Sequence, residues 1–107
     1  MKKILCVLLT VASFGVQAEF FTGNMLMNML DSAKDNERMM GMGYVAGAFD
    51  ASQKAVHCAP SNVSLRQVVD MVKKQLVDAP ENRHYSADAI VMSVLKVAFP
   101  CKGKSNT

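Results

Sequence analysis

The stretch GMGYVAGAFDASQKAVHC, residues 41–58, decides the fold that the sequence predicts. No proline interrupts it and alanine recurs through it, so it predicts a helix that begins near Asn36. A glycine inside a helix costs roughly 0.5–1 kcal/mol relative to alanine. Because Gly43 and Gly47 lie four residues apart on one face, we expect a second helix to pack closely there, within the chain or across a dimer. This is the expected central helix of a small bundle, with Cys58 tethering its C-terminal end.

The first eighteen residues have the pattern of a secretory signal peptide. Lys2 and Lys3 precede an apolar run, and Ala18 ends a small-residue cleavage site. The apolar run is short for a membrane span. We therefore expect cleavage before Glu19 and export from the cytoplasm.

The exported part is expected to be one small, nearly neutral domain, residues 19–101, followed by a flexible tail, residues 102–107. The whole chain has 12 Lys and Arg against 9 Asp and Glu, a net charge of +3. Without Lys2 and Lys3 ten basic residues remain against nine acidic ones, and the net charge falls to +1. No basic surface of the kind that binds nucleic acid is predicted, and no membrane contact is expected after signal cleavage.

Two cysteines, Cys58 and Cys101, remain in the exported chain. An even pair in an oxidising compartment most simply forms one disulfide. A domain this small needs such a crosslink or a partner subunit, because it buries little apolar surface.

The other segments predict three more helices, each with its own start signal. Thr22 is a suitable N-cap for the first, Ser64 with Gln67 makes a capping-box sequence for the second, and Ser86 caps the third. A polar loop, residues 80–85, separates the last two. The expected helices cover about Met25–Ala33, Ser64–Asp78 and Ser86 to the residue before Pro100. The fold class is therefore all-α, a small four-helix bundle stapled by one disulfide.

The residues themselves predict no catalytic site, cofactor or metal centre. With both cysteines assigned to the disulfide, His57 and His84 have no evident partner and are expected to be ordinary surface or loop residues. Six methionines cluster between Met25 and Met42. Thioethers suit Cu(I), but methionine is also a common filler of cores and interfaces, so packing is the favoured reading and a Met-rich metal-binding protein an open alternative.

Six short segments carry a family resemblance over almost all of the exported chain. They are Thr22-Gly23-Asn24 with Leu26, Gly43-Tyr44-Val45-Ala46-Gly47 with Asp50, His57-Cys58-Ala59-Pro60, Val63-Ser64-Leu65-Arg66-Gln67, Pro80-Glu81 with Arg83, and Ala98-Phe99-Pro100-Cys101. Together they resemble the Rap/Tai family, the periplasmic immunity proteins of type VI secretion amidase effectors. The resemblance implies a homodimeric four-helix protein in the periplasm of a Gram-negative bacterium, with a Cys58–Cys101 disulfide. It also implies a protein that is not an enzyme but inhibits a Cys-His peptidoglycan amidase.

An inhibitor of a cleft enzyme needs a rigid projection and a flanking face that fixes its orientation. The helix that begins at Ser64 and the loop after it fit this best, because Pro80 and Ser86 bracket the loop and limit the ordering cost of binding. The ordinary alternative is a solvated helix face and a turn. The expected partner-binding residues are Arg66, Asp70, Lys73, Lys74, Glu81, Asn82, Arg83 and His84.

A third class of protein also fits the residues. A periplasmic acid-stress chaperone of the HdeA kind is likewise small, helical and stapled by a disulfide. Such a chaperone unfolds or dissociates at low pH, whereas an inhibitor keeps one rigid surface.

Overall fold

Four helices form the protein, as the sequence predicts. The computed structural model describes residues 21–102, which contain α1 (Gly23–Leu30), α2 (Asp35–Ser52), α3 (Leu65–Asp78) and α4 (Ala87–Ala98). A short 3₁₀ turn, Pro80–Asn82, lies between α3 and α4, and no strand occurs within the described range. The all-α prediction is confirmed. The predicted signal peptide and all but Lys102 of the predicted tail lie outside the described residues.

One hydrophobic core joins the four helices. The side chains come from every helix because each has apolar residues at helical spacing. The buried members are Leu26, Leu30, Val45, Val68, Val69, Val72, Leu76, Ala87, Ile90, Val91 and Leu95. None of the helices in the described part of the chain combines the length and the apolarity that crossing a lipid bilayer requires.

Local start signals place two of the helices where the sequence predicts. Thr22 Oγ1 accepts a hydrogen bond from the backbone N–H of Met25 at 3.2 Å. Ser64 and Gln67 exchange both bonds of the capping box, at 3.1 and 2.9 Å. Ser86 occupies the N-cap position of α4, but its side chain makes no capping hydrogen bond, so this detail of the prediction is wrong.

The central helix α2 ends six residues before the predicted boundary. Ser52 Oγ donates to the carbonyl of Ala48 at 2.8 Å, and the Ser52 carbonyl then accepts N–H groups of the following turn, including that of Val56 at 2.7 Å. Lys54 has a φ of 73°, in the left-handed region, where a helix cannot continue. Cys58 therefore lies beyond a tight turn, and it does not end the helix.

His57 lies in the segment between α2 and α3, as the prediction of a surface or loop residue allows, but its side chain is fully buried, so the surface position is wrong. Its Nδ1 lies 3.0 Å from Ser52 Oγ, and its ring packs against Phe49 with the ring centroids 4.7 Å apart. Since Ser52 Oγ donates to Ala48, we assign the imidazole proton to Nδ1, which leaves Nε2 without a partner among the described residues. Burial lowers the pKa of this imidazole, so its neutral form is favoured.

The close helix contacts occur at glycines other than the predicted ones. A Cβ built at Gly43 or at Gly47 meets no atom within 4 Å, so the prediction of tight packing there is wrong within the chain. A Cβ at Gly41 would lie 3.0 Å from Leu30 Cδ2, and one at Gly23 would lie 2.6 Å from Ile90 Cδ1. Gly41 therefore allows α2 to lie close to α1, and Gly23 allows α1 to lie close to α4. Contact across a dimer at Gly43 and Gly47 stays a prediction.

The predicted disulfide is present between Cys58 and Cys101, whose Cα atoms lie 4.8 Å apart. It joins the segment after α2 to the residue that follows α4 and Pro100. The backbone supports the same junction, because Cys58 N–H donates to the carbonyl of Phe99 at 2.8 Å. Gln53 adds two bonds with the backbone of Ala59, at 3.0 and 3.1 Å.

Reduction of this disulfide is expected to lower the melting temperature by more than 10 °C. The two cysteines are 43 positions apart, and closing such a loop stabilises by about 4 kcal/mol on the chain-entropy model. In a domain of this size each kcal/mol shifts the melting temperature by about 4–8 °C. Calorimetry with and without reductant measures the effect. The Cys58→Ser/Cys101→Ser variant is the control, since reductant should leave its melting temperature unchanged, and a wild-type shift under about 10 °C would contradict the prediction.

Candidate functional site

The loop between α3 and α4, residues 80–86, is folded by its own backbone. Asn82 N–H donates to the carbonyl of Ala79 at 3.0 Å, and Arg83 N–H donates to that of Pro80 at 3.3 Å. Tyr85 N–H then donates to the carbonyl of Asn82 at 3.1 Å. Proline fixes one backbone angle at the start of this run. The 80–86 loop is therefore a short chain of turns with a defined shape.

The N-terminus of α1 holds this loop from the other side. The first N–H groups of a helix have no partner inside the helix. Here the N–H of Gly23 donates to the carbonyl of Tyr85, and that of Asn24 donates to the carbonyl of Arg83, both at 2.9 Å. Thr22 and Ser86 form an antiparallel bridge beside these two bonds. The loop thus completes the hydrogen bonding of α1.

The side chain of Arg83, a predicted partner-binding residue, points back to its own chain. Its Nε donates to the carbonyl of Leu76 at 2.6 Å, in the last turn of α3, and the residue is half-buried. A cation at this position also suits the negative end of the helix dipole. The structure therefore gives Arg83 a role in holding the loop to α3. Reversing the charge of Arg83 would remove this contact and is therefore expected to cost stability.

Three of the four residues predicted on α3 are exposed: Arg66, Asp70 and Lys74. The fourth, Lys73, is half-buried and lies 3.6 Å from Asp31 Oδ1, at the C-terminal end of α1. A partly exposed ion pair of this kind contributes at most about 1 kcal/mol. Lys73 therefore links α1 to α3, while the other three present their charges to solvent.

The predicted residues form two groups along α3. Arg83 joins the loop to the carbonyl of Leu76, near the C-terminal end of α3. Arg66 lies on α3 ten residues before Leu76. At a rise of 1.5 Å per residue this separation is about 15 Å. The exposed charged residues Arg66, Asp70 and Lys74 form the charged stripe of α3. A partner that touches both the loop and this whole stripe must therefore cover most of the length of α3.

Tyr85 is an exposed loop residue that the sequence-based prediction of the site did not include. Its side chain is 55 % exposed, and its ring packs on that of His84 with the centroids 4.2 Å apart. Large aromatic side chains are enriched among the residues that dominate interface energetics. The signal in the sequence that could have pointed to Tyr85 is a large aromatic residue within an otherwise polar loop. Glu81 is exposed beside this pair.

An open groove of about 180 Å³ lies next to Tyr85, between α3 and α4. Its lining is uncharged and combines amide and hydroxyl groups with an apolar floor. The lining residues are Gln75, Asn82, Tyr85, Ala89, Ile90 and Ser93. The half-buried Asn82, predicted to bind a partner, contributes to this groove.

The described residues assemble little of the chemistry that catalysis or metal binding needs. Ser52 and His57 have the spacing of a nucleophile and a base, but both are buried, 1 % and 0 % exposed, so no substrate reaches them. Between residues 21 and 102 no three His, Cys, Asp or Glu side chains lie close enough together to hold a metal ion.

Half of the methionine cluster packs against the core, which confirms the packing interpretation for that half. The packed residues are Met27, Met29 and Met42. Met25, Met39 and Met40 are exposed.

Comparison with protein families identifies the chain. A family model described as Rap1a immunity proteins matches residues 22–101, which is most of the sequence and includes every helix. The chain belongs to the Rap1a immunity protein family. The resemblance predicted from the sequence is therefore confirmed. A search of curated proteins finds no significant match.

Membership of the Rap1a family implies that the protein binds a cognate effector. An immunity protein works by occupying a surface of that effector, and binding is tighter when the contacting segment is ordered beforehand. Among the predicted partner-binding residues, those of the 80–86 loop lie on a segment that is ordered in the free protein. In this Rap1a-family protein, α1 and α3 both fix the loop.

Arg83→Ala is expected to destabilise the protein by about 1–3 kcal/mol, because it leaves the Leu76 carbonyl without its charged donor. The melting temperature should fall by several degrees, measured by thermal unfolding followed by circular dichroism. Arg66→Ala is the matched control, since the same truncation at an exposed position of α3 should shift the melting temperature by less than 2 °C. Equal melting temperatures for the two variants would contradict the structural role of Arg83.

Proposed function

We propose that this protein is a periplasmic immunity protein that binds and inhibits a peptidoglycan amidase effector of type VI secretion. It acts by occupying the effector and has no catalytic activity of its own. Membership of the Rap1a family supports the immunity role. The observation that carries the inhibitory mechanism is the double anchoring of the 80–86 loop, at Gly23 and Asn24 of α1 and at Leu76 of α3.

The shape and order of the loop suit an enzyme with a cleft. A Cys-His amidase must admit a peptide to its nucleophile, so its active site is open to a narrow projecting segment. A loop held by backbone hydrogen bonds loses little conformational entropy when it enters such a cleft. Tyr85 and His84 offer exposed ring surface at this loop. The charged stripe of α3 would then orient the complex along the rim of the cleft.

Export to the periplasm is part of the proposal. The predicted signal peptide directs the chain out of the cytoplasm, and the Cys58–Cys101 disulfide suits an oxidising compartment. Peptidoglycan lies in the same compartment, so an amidase that cleaves it would meet the protein there.

The Lys74→Glu/Tyr85→Ala variant is expected to bind the amidase at least 30-fold more weakly, about 2 kcal/mol, while its melting temperature changes by less than 2 °C. Both side chains are exposed, and the pair of Lys74 with Asp78 lies in solvent, where it contributes little. Co-purification from the periplasm identifies the amidase, and isothermal titration with its inactive nucleophile variant measures the affinity.

Lys54→Glu is the control for this test, because it reverses an exposed charge in the turn after α2. It should bind like the wild type. Unchanged affinity of the double variant would place the interface on another surface.

We also propose that the protein forms a homodimer through α2. Gly43 and Gly47 lower the helix propensity of α2, and no contact within the described chain requires either of them. They line an open, mostly apolar groove of about 350 Å³ between α2 and α4, together with Ala51 and Met92. A second copy packed against this face would explain why small residues occur here.

Gly47→Leu is expected to weaken dimerisation at least tenfold, measured by sedimentation equilibrium. The added side chain would fill the proposed interface, whereas the isolated helix should become no less stable, since leucine has the better helix propensity. Arg66→Leu adds the same side chain to α3 and should leave the dimer intact. A wild-type protein that stays monomeric at high concentration would contradict the dimer.

A further inference from the structure

Gly23 has a packing environment that a helical residue rarely has. It is the first residue of α1, it is buried, and a Cβ at this position would meet two different kinds of neighbour. Ile90 Cδ1 would lie at 2.6 Å, and this methyl group can move by a change of rotamer. The carbonyl oxygen of Arg83 would lie at 2.9 Å and its Cα at 3.1 Å. These last two atoms belong to the backbone of the 80–86 loop and can yield only if the loop itself moves.

Two hydrogen bonds beside Gly23 connect α1 to the part of the loop that a Cβ at this position would displace. The N–H of Gly23 donates to Tyr85, and the next N–H, of Asn24, donates to Arg83. Both loop carbonyls therefore face the same turn of α1. A side chain at Gly23 would push Arg83 outward and would strain or break both bonds.

We propose that Gly23 is a positioning residue for effector binding: its missing side chain sets the distance between α1 and the 80–86 loop, and so fixes where His84 and Tyr85 meet the partner. Gly23 itself is buried and touches no partner. The inference rests on the proposed function, because it gives the shape of the loop a purpose in binding. It adds a residue of α1 to a site that otherwise consists of α3 and the loop.

Gly41 provides a matched control within the same bundle. A Cβ there would meet Leu30 Cδ2 at 3.0 Å, Met29 Cβ at 3.1 Å and Leu30 Cγ at 3.3 Å, all of them side-chain atoms. Gly41→Ala therefore crowds the core between α1 and α2 without touching the backbone of the loop. Both variants should lower the melting temperature, and only Gly23→Ala should displace the loop.

Ile90→Val separates packing from positioning in the Gly23→Ala background. It removes Cδ1, which is the side-chain part of the conflict, and leaves the backbone part at Arg83 in place. The Gly23→Ala/Ile90→Val variant should recover part of the lost melting temperature. Its affinity should stay low, because the loop is still displaced.

The test combines a measurement on the free protein with one on the complex. Amide hydrogen exchange of the free protein should show faster exchange at the amides of residues 23 and 24 in both Gly23→Ala variants, and wild-type exchange at these two amides in Gly41→Ala. Titration against a panel of Cys-His peptidoglycan amidases of the type VI class, each with its nucleophile replaced, should give at least tenfold weaker binding for both Gly23→Ala variants. Gly41→Ala should bind within twofold of the wild type.

The outcomes are distinguishable. Wild-type affinity in Gly23→Ala, or recovery of affinity together with stability in the Ile90→Val background, would overturn the positioning role while leaving the proposed function in place. A comparable loss of affinity in Gly41→Ala would also overturn it, since general destabilisation would then explain the effect. A wild-type protein that binds no amidase would overturn the proposed function and this inference with it.

Discussion

The exchange of backbone hydrogen bonds between α1 and the 80–86 loop is the constraint on which the rest of the proposed site depends. A helix N-terminus needs acceptors, and a loop needs donors for its carbonyls. In this chain each satisfies the other, through Gly23 to Tyr85 and Asn24 to Arg83. Because Leu26 of the same helix is fully buried, the loop is fixed relative to the core. The order that binding requires is thus present before any partner arrives.

The fold could be predicted wherever its signals are local. The third helix follows from a capping box and from apolar residues at helical spacing, and both appear in the structure as expected. The end of α2 could not be predicted in this way. Ser52 stops the helix by bonding back to Ala48 and by supporting His57, whose ring is buried far from water. This ending depends on a polar pair that tertiary packing encloses, and residue periodicity carries no sign of it.

The loop on which the proposed site is built could be predicted from the sequence, but the directions of its side chains could not. Pro80 and Ser86 mark the ends of a loop in any chain. The direction of the Arg83 side chain depends on a carbonyl seven residues earlier, a relation that no helical or strand period expresses. The glycines show the same limit. Sequence spacing shows that Gly43 and Gly47 share a face, but which face a neighbour covers depends on how the helices cross, and the close contacts occur at Gly23 and Gly41.

The residues that hold the shape of the protein differ from the exposed residues that the proposed function assigns to partner binding. One end of the bundle is closed by the Cys58–Cys101 disulfide, and the loop is held by α1 and by Arg83. Exposed side chains such as Arg66, Asp70 and Tyr85 contribute little to this framework. Substitution there alters the surface without a large loss of stability. Under the proposed function, recognition can therefore change at the surface while Gly23, Arg83 and the core keep the loop in place.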